Sequence, residues 1–222
     1  VFMSLARVLE VEYMDTVDEA RDYDSMDHGE VNRRFVDDLL ALVPEPSEVL
    51  DLGTGTARIP MELCRRVEEC RVLAVDAAAN MLDLARLNLE IASLTQRVQL
   101  DRVDAKRLPY ATGMFPVVVS NSIVHHIPEP LAVLREAVRV TAVGGWLFFR
   151  DLARPSSADE LAAFVQRYAG DENEHSRQMF ADSLQAALTC AEVRELVQSL
   201  GFDPATVSMT SDRHWTWAAQ RV

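Results

Sequence analysis

Val49-Leu50-Asp51-Leu52-Gly53-Thr54-Gly55-Thr56-Ala57 is the stretch that decides the fold. From Glu48 it opens as a short apolar run, the signature of a buried strand. The run stops at two glycines. A helical pattern then runs from about Ala57 to Glu68, with Pro60 tolerable in its first turn. Gly53 and Gly55 let the backbone turn sharply and approach a ligand with no Cβ in the way. A glycine pair after a strand does not decide a function by itself, so its surroundings matter.

Before it, Val31, Phe35, Val36, Leu39, Leu40, Leu42 and Val43 recur at three- and four-residue spacing. That spacing predicts a helix, ended by Pro44 and Pro46. After it, strands are expected over 71–75, 98–103, 115–120 and 146–150. The helices between them are expected over 80–92 and 131–141, the latter closing at Gly144-Gly145. Strand and helix alternate five times at βαβ spacing, which implies a mainly parallel sheet covered on both faces. Beyond Asp151 the rhythm changes. Residues 155–190 read as irregular helix, and 191–200 as a further helix. Residues 205–210 and 214–219 read as two strands whose tight turn, Ser211-Asp212-Arg213, can join only antiparallel neighbours.

Three acids close three of these strands: Asp51, Asp76 and Asp104. The carboxyl edge of an open α/β sheet is where ligands bind. An acid ending the second strand can accept hydrogen bonds from both hydroxyls of a ribose. Three carboxylates suit a cationic ligand better than a pyrophosphate. Two of the acids also have a plainer reading, Asp76 as a helix N-cap and Asp104 as a turn former, and Met81 has one as core.

With these residues together, the sequence resembles the class I S-adenosylmethionine-dependent methyltransferases, particularly small-molecule enzymes of the ubiquinone-biosynthesis type. The family's first motif, acid-x-Gly-x-Gly-x-Gly, is matched by Asp51, Gly53 and Gly55, with Thr54 between the glycines and Ala57 replacing the third glycine. The resemblance places Asp76, with Ala77 beside it, at the ribose, Met81 beside the adenine, and Asp104, followed by Ala105, in contact with the adenine. The segment Val119-Ser120-Asn121-Ser122-Ile123-Val124-His125-His126-Ile127 resembles the fourth motif, where Asn121 faces the cofactor. The family usually carries an acid where Pro116 stands here. In the family a tyrosine before the first strand often covers the cofactor, which points to Tyr23. The implied fold is a Rossmann-like doubly wound sheet of seven strands, order 3-2-1-4-5-7-6, with the last strand antiparallel. The implied cofactor is S-adenosylmethionine and the product S-adenosylhomocysteine.

On this reading residues 1–222 form a single domain. It comprises an N-terminal helical cover (1–43), the cofactor-binding core (44–153), a helical insert or lid (154–190), and the last helix with its hairpin (191–222). Methyl transfer is an in-line displacement, and a base is needed only where the acceptor must lose a proton. His126 and His125, just past the fourth strand, are the candidates. The alternative is that one packs under its loop and the other caps the next helix. No metal is expected, because adjacent histidines rarely share an ion and no third ligand stands near them; Asp27, His28 and His175 are distant. Arg33 or Arg34 are candidates to face an anionic group. Phe164, Tyr168, Met179 and Phe180 either line an acceptor pocket or form the insert's small core.

The formal charge, 22 − 35 = −13, repels phosphate backbones and anionic membranes and argues against nucleic-acid partners. Three cysteines without a CxxC pair form neither a disulfide framework nor a zinc signature, which suggests a reducing, cytoplasmic setting. No apolar run reaches the roughly 20 residues of a membrane span. A small-molecule acceptor and a monomer or homodimer are expected. The alternatives are a nicotinamide-dependent oxidoreductase and a non-catalytic S-adenosylmethionine-binding protein. The first is disfavoured by Arg58 and Ala57, where the dinucleotide pattern needs its last glycine. No Asn-Pro-Pro-Tyr segment follows the fourth strand, which by resemblance argues against methylation of DNA bases.

Overall fold

The computed structural model describes residues 5–10, 16, 24 and 29–222. Its sheet has seven strands: β1 Glu48–Leu52, β2 Arg71–Asp76, β3 Val98–Arg102, β4 Phe115–Asn121, β5 Thr141–Leu152, β6 Val207–Met209 and β7 His214–Gln220. Their order is 3-2-1-4-5-7-6. The helices are α1 Gly29–Leu42, α2 Arg58–Arg66, α3 Ala79–Ile91, α4 Pro130–Val140, α5 Ala158–Ala169, α6 Glu174–Ala186 and α7 Cys190–Ser199.

The apolar run of β1 has the composition of a strand buried on both faces, and Val49, Leu50 and Leu52 are all buried. It pairs in parallel with β2 on one side and β4 on the other. Leu52 lies opposite Val75 and Ser120, so β1, β2 and β4 reach the carboxyl edge nearly in step. Phe35 and Leu39 of α1, Leu63 and Cys64 of α2, and Leu89 of α3 pack with Val49, Val72 and Phe148 in one core cluster. Phe35 meets Phe148 edge to face, with centroids 4.9 Å apart.

Later elements differ from the sequence expectation in instructive ways. The strand expected over 146–150 runs from Thr141 to Leu152, so Gly144 and Gly145 lie inside it rather than capping α4. The reason is proximity. A Cβ on Gly145 would meet the Pro116 carbonyl oxygen at 2.7 Å, so glycine there admits a close backbone approach. The irregular insert is two capped helices. Ser157 accepts a hydrogen bond from the Glu160 N–H, and Asn173 from that of Ser176. Thr189 and Glu192 form a reciprocal capping box on α7. The strand expected over 205–210 is three residues long and is preceded by a 3₁₀ turn at Pro204–Thr206. The hairpin itself is antiparallel, with Val207 opposite Trp217.

The described residues fall into two compact units. One contains 29–121, 132–149 and 218–222; the other contains 5–10, 122–131 and 150–217. In the second, Phe164, Leu152, Leu184 and Ala187 form a small core with Phe180 against it. Phe164 and Phe180 are therefore core residues, while Tyr168 is partly exposed under the Arg213 guanidinium, 3.4 Å from its ring centroid.

Candidate functional site

The turn after β1 is built from three consecutive odd positions in the left-handed region: Gly53 (φ 71°), Gly55 (φ 54°) and Ala57 (φ 64°). The Gly53 and Thr54 N–H groups both donate to the Val75 carbonyl at 2.9 Å, which ties the turn to the end of β2. Asp76 completes the tie. One carboxylate oxygen accepts from the Gly55 N–H at 2.8 Å and the other from the Ala78 N–H at 2.9 Å. Asp76 is thus not the N-cap of α3, a position held by Ala78 without a side-chain cap. It forms an Asx turn and clamps the glycine loop. A carboxylate has about four lone-pair positions, so these two backbone donors do not exhaust its capacity to accept from a ligand's hydroxyls.

Asn32, Asp51, Gly53, Thr54, Thr56, Arg58, Ile59 and Asn121 line one cleft at this edge. Buried side-chain atoms without hydrogen-bond partners gather there: Asp51 Oδ2, Thr54 Oγ1, Thr56 Oγ1 and Asn121 Oδ1. Such groups are costly unless something satisfies them. Burial pushes the Asp51 carboxyl up to about 7; the adjacent Thr54 hydroxyl opposes the rise and the charge of Asp76 adds to it. A cation beside Asp51 would restore its charge. A wider hollow of about 670 Å³ opens at the amino edge of the sheet around Arg71, Arg97 and Met114. The unsatisfied carboxylate and amide lie in the narrower cleft, and that is where a ligand is needed.

The other acids and apolar residues divide. Met81 is buried with Ala78 and Leu84 in a satellite cluster apart from the main core. Ala77 and Ala105 are half-buried. Asp104 is 45% exposed; it accepts from the Lys106 N–H at 2.9 Å and faces the Lys106 ammonium at 3.4 Å, the turn-forming arrangement. Arg34 is exposed beside Glu30. Tyr23, Asp27 and His28 lie outside the described residues.

The histidine pair sits on a 3₁₀ turn, Val124–His126. Asp151, fully buried at the end of β5, organises it. One Asp151 oxygen accepts the N–H groups of Val124 (2.5 Å) and His125 (3.2 Å); the other accepts that of Leu152 (2.6 Å) and stands 2.5 Å from His125 Nδ1. Burial would push Asp151 up and His125 down. Their mutual attraction outweighs it, holding the carboxyl below and the imidazole above its ordinary value. Burial and the neighbouring His125 charge push His126 down.

A third group arrives from far away in sequence. Arg7 Nε donates to the Ala186 carbonyl at 2.6 Å, and its terminal nitrogen to those of His125 and Ile127. The Leu5 and Val8 N–H groups donate to Ser156 and Gln185. So held, residues 5–10 bring the Glu10 carboxylate to 2.9 Å from His126 Nδ1 and 3.5 Å from His125 Nε2. Burial raises Glu10, and the two histidines more than offset this, leaving it below the usual carboxylate value. Asp151 had a sequence signal, being one more acid at a strand's carboxyl end. Glu10 had none.

A glycine turn clamped by a strand-end acid, beside a cleft of unsatisfied polar groups on a 3-2-1-4-5-7-6 sheet, defines a Rossmann-like protein that binds a polar, cationic cofactor. The comparisons are specific. Residues 50–149 match the family described as "Methyltransferase domain". The chain is 30% identical over 185 residues to a malonyl-[acyl-carrier protein] O-methyltransferase of Geobacter sulfurreducens, covering 80% of this chain and 67% of that one. It is 31% identical over 170 residues to an arsenite methyltransferase of Aquipseudomonas alcaligenes, covering 72% and 45%. A SAM-dependent methyltransferase from Aquifex aeolicus shares the fold, with a TM-score of 0.69 at 17% identity over 93% of this chain and 99% of the other. The chain belongs to the class I S-adenosylmethionine-dependent methyltransferase family. It spans less than half the length of several curated relatives it matches. The cofactor the family implies is S-adenosylmethionine, giving S-adenosylhomocysteine. The residues present fit it, since the unsatisfied Asp51 carboxylate suits its ammonium and Asp76 its ribose hydroxyls.

Proposed function

We propose that this protein transfers a methyl group from S-adenosylmethionine to a small-molecule acceptor. The observation that carries the reading is the cleft in which Asp51, Thr54, Thr56 and Asn121 all present unsatisfied buried polar atoms beside the clamped glycine turn. When bound, the cofactor supplies a sulfonium methyl carbon, which forms a bond to the acceptor as its bond to sulfur breaks. The protein's own work is binding, alignment and exclusion of water. Asp51 is assigned to the ammonium and Asp76 to the ribose hydroxyls. Gly53, Thr54, Gly55 and Asn121 line the methionine part. Ala77 stands beside Asp76 at the ribose, Met81 flanks the adenine, and Asp104 and Ala105 lie at its edge. Tyr23 remains assigned as a cover on the family resemblance alone.

Where the acceptor carries a proton, His126 is assigned to take it. His125 is committed through Nδ1 to Asp151 and is almost wholly buried, so it serves as the positioning partner. The net charge of −13 supports an acceptor other than nucleic acid. The unpaired Cys64, Cys70 and Cys190 support a reducing, cytoplasmic setting. No helix among the described residues is long and apolar enough to cross a membrane. A monomer or homodimer is the proposed assembly. The two relatives act, by their names, on a malonyl thioester carrier and on arsenite, so the acceptor needs a screen of carbon, nitrogen, oxygen and sulfur nucleophiles.

Calorimetric titration with S-adenosylmethionine and S-adenosylhomocysteine, with NAD as control, tests the proposal. Micromolar binding of the first two is expected, weakened at least tenfold in Asp76→Ala. Binding of NAD alone would transfer the cleft to an oxidoreductase, and binding without turnover across the acceptor screen would make this a cofactor-binding protein.

A further inference from the structure

We propose that Glu10, His125 and His126 form a binding site for a divalent first-row transition-metal ion, with Asp151 as its outer-shell partner. The donor atoms of the three residues all lie within 4.8 Å of one another. Two separations are known, 2.9 Å for Glu10 Oε1 to His126 Nδ1 and 3.5 Å for Glu10 Oε1 to His125 Nε2. Ligands about 2.1 Å from a tetrahedral ion stand about 3.4 Å apart. The observed pair straddles that value.

Glu10 Oε1 and His126 Nδ1 are buried and stand 2.9 Å apart, and the same Glu10 oxygen faces His125 Nε2 at 3.5 Å. An ion at the point where they converge satisfies both. The two imidazoles lie with centroids 4.0 Å apart, an arrangement that disfavours charge on both rings and suits two neutral ligands.

The outer shell supports the assignment independently. A metal-bound histidine almost always donates its other ring N–H to a carboxylate or carbonyl, which fixes tautomer and ring orientation. His125 Nδ1 has that partner in Asp151 at 2.5 Å, so Nε2 is the nitrogen turned to Glu10. Asp151 is itself fixed by three backbone N–H groups. Glu10 is steadied through its other oxygen, which accepts from the Ser183 hydroxyl at 3.3 Å. Two imidazoles and a carboxylate are borderline donors that select zinc, iron(II), cobalt(II) or nickel(II) over magnesium and calcium. Three protein ligands leave a coordination position open, the pattern of catalytic rather than closed structural sites. The adjacent histidines that seemed unable to share an ion do so because a residue more than a hundred positions away completes the set.

Ligation and direct proton abstraction are exclusive uses of His126, so this site replaces the proton-accepting role assigned to His126 above wherever the ion is bound, and metal titration decides between them without cofactor or acceptor. The full chain is stripped with chelator, dialysed, and titrated with Zn²⁺ by calorimetry and with Co²⁺ by visible absorption. One ion per chain is expected at micromolar or tighter affinity, with Mg²⁺ not binding. Glu10→Gln and His126→Gln, which keep side-chain volume, should each weaken binding at least tenfold. Asp151→Asn should weaken it roughly 10–100-fold. A Cys64→Ser/Cys70→Ser double variant should bind as the parent does. Absence of Zn²⁺ and Co²⁺ binding overturns the proposal. So does binding that survives Glu10→Gln and His126→Gln in chains of unchanged circular dichroism, or binding lost with the cysteines. None of these results bears on the cofactor titration, so the two proposals fail separately.

Discussion

Ala57 holds a conformation its side chain disfavours. At φ 64° and fully buried, it occupies the left-handed region where the Cβ of an L-residue crowds the following carbonyl. Ala57→Gly should therefore raise stability by about 1 kcal/mol, the relief of strain outweighing the extra freedom of the unfolded chain. The expected rise in melting temperature is roughly 2–4 °C. No change on differential scanning calorimetry would mean the surrounding packing, not the backbone, sets the cost. Asp51 is the second strained residue, electrostatically. Its folded-state value of about 7 lies above the ordinary 3.8, so the folded chain binds the extra proton between the two. The associated stability is complete below about pH 4 and is lost as pH rises through about 7, falling by about 1.4 kcal/mol for each pH unit in between. Asp51→Asn, which never ionises, should gain on the wild type in urea midpoint from about pH 4 to about pH 7 while binding the cofactor far less well. A constant gap across that range would show that Asp51 is not held protonated. Both residues were singled out by their place after an apolar run. What the sequence did not show is that Ala57, not only the glycines, turns left-handed.

Strand β5 shows how two adjacent glycines answer to different constraints. At Gly145 a Cβ would stand 2.7 Å from the Pro116 carbonyl and 2.9 Å from that of Ala142. At Gly144 it would meet nothing within 4 Å, but φ is +79°. Gly145→Ala should cost about 1–3 kcal/mol through displaced backbone, and Gly144→Ala about 1 kcal/mol through its dihedral alone. Equal losses in chemical denaturation would mean that β4 yields to the added methyl. The same pair explains a misplaced boundary. Gly-Gly after a helical pattern reads as a helix stop, and that reading shortened β5 at its start; nothing marked its end either, so Asp151 fell outside the strand. Strands β1, β2 and β4 were legible because each is a short apolar run between clear breaks, and β3 because its residues alternate. The insert was legible only as helical, since the caps Ser157 and Asn173 are common loop residues until a helix begins beside them.

For the whole molecule, chain order and function part company. Every described residue assigned to the cofactor, from Asp51 to Asn121, belongs to one compact unit. Glu10, His125, His126 and Asp151 all belong to the other, which draws on residues 5–10, 122–131 and 150–217. The first set could be read from sequence because strand ends follow one another along the chain. In the second the histidine pair stood out just past β4, but Glu10 did not, because it is brought to the histidines by the anchoring of Leu5, Arg7 and Val8 on Ser156, Gln185 and Ala186, and no periodicity encodes a contact across such a separation. Removing residues 1–10 should accordingly separate two properties that the intact chain joins. S-adenosylmethionine affinity by calorimetry should stay within about twofold, since no cofactor contact is assigned to that segment and independent sites add. Zn²⁺ binding should be lost, and turnover with a responsive acceptor should fall at least tenfold. The single substitution Glu10→Gln should reproduce the metal loss while keeping the anchors, which distinguishes a missing ligand from an unfastened segment. If cofactor affinity falls in step with metal binding in both variants, the division of labour between the two units is wrong, and Glu10 supports the cofactor site itself.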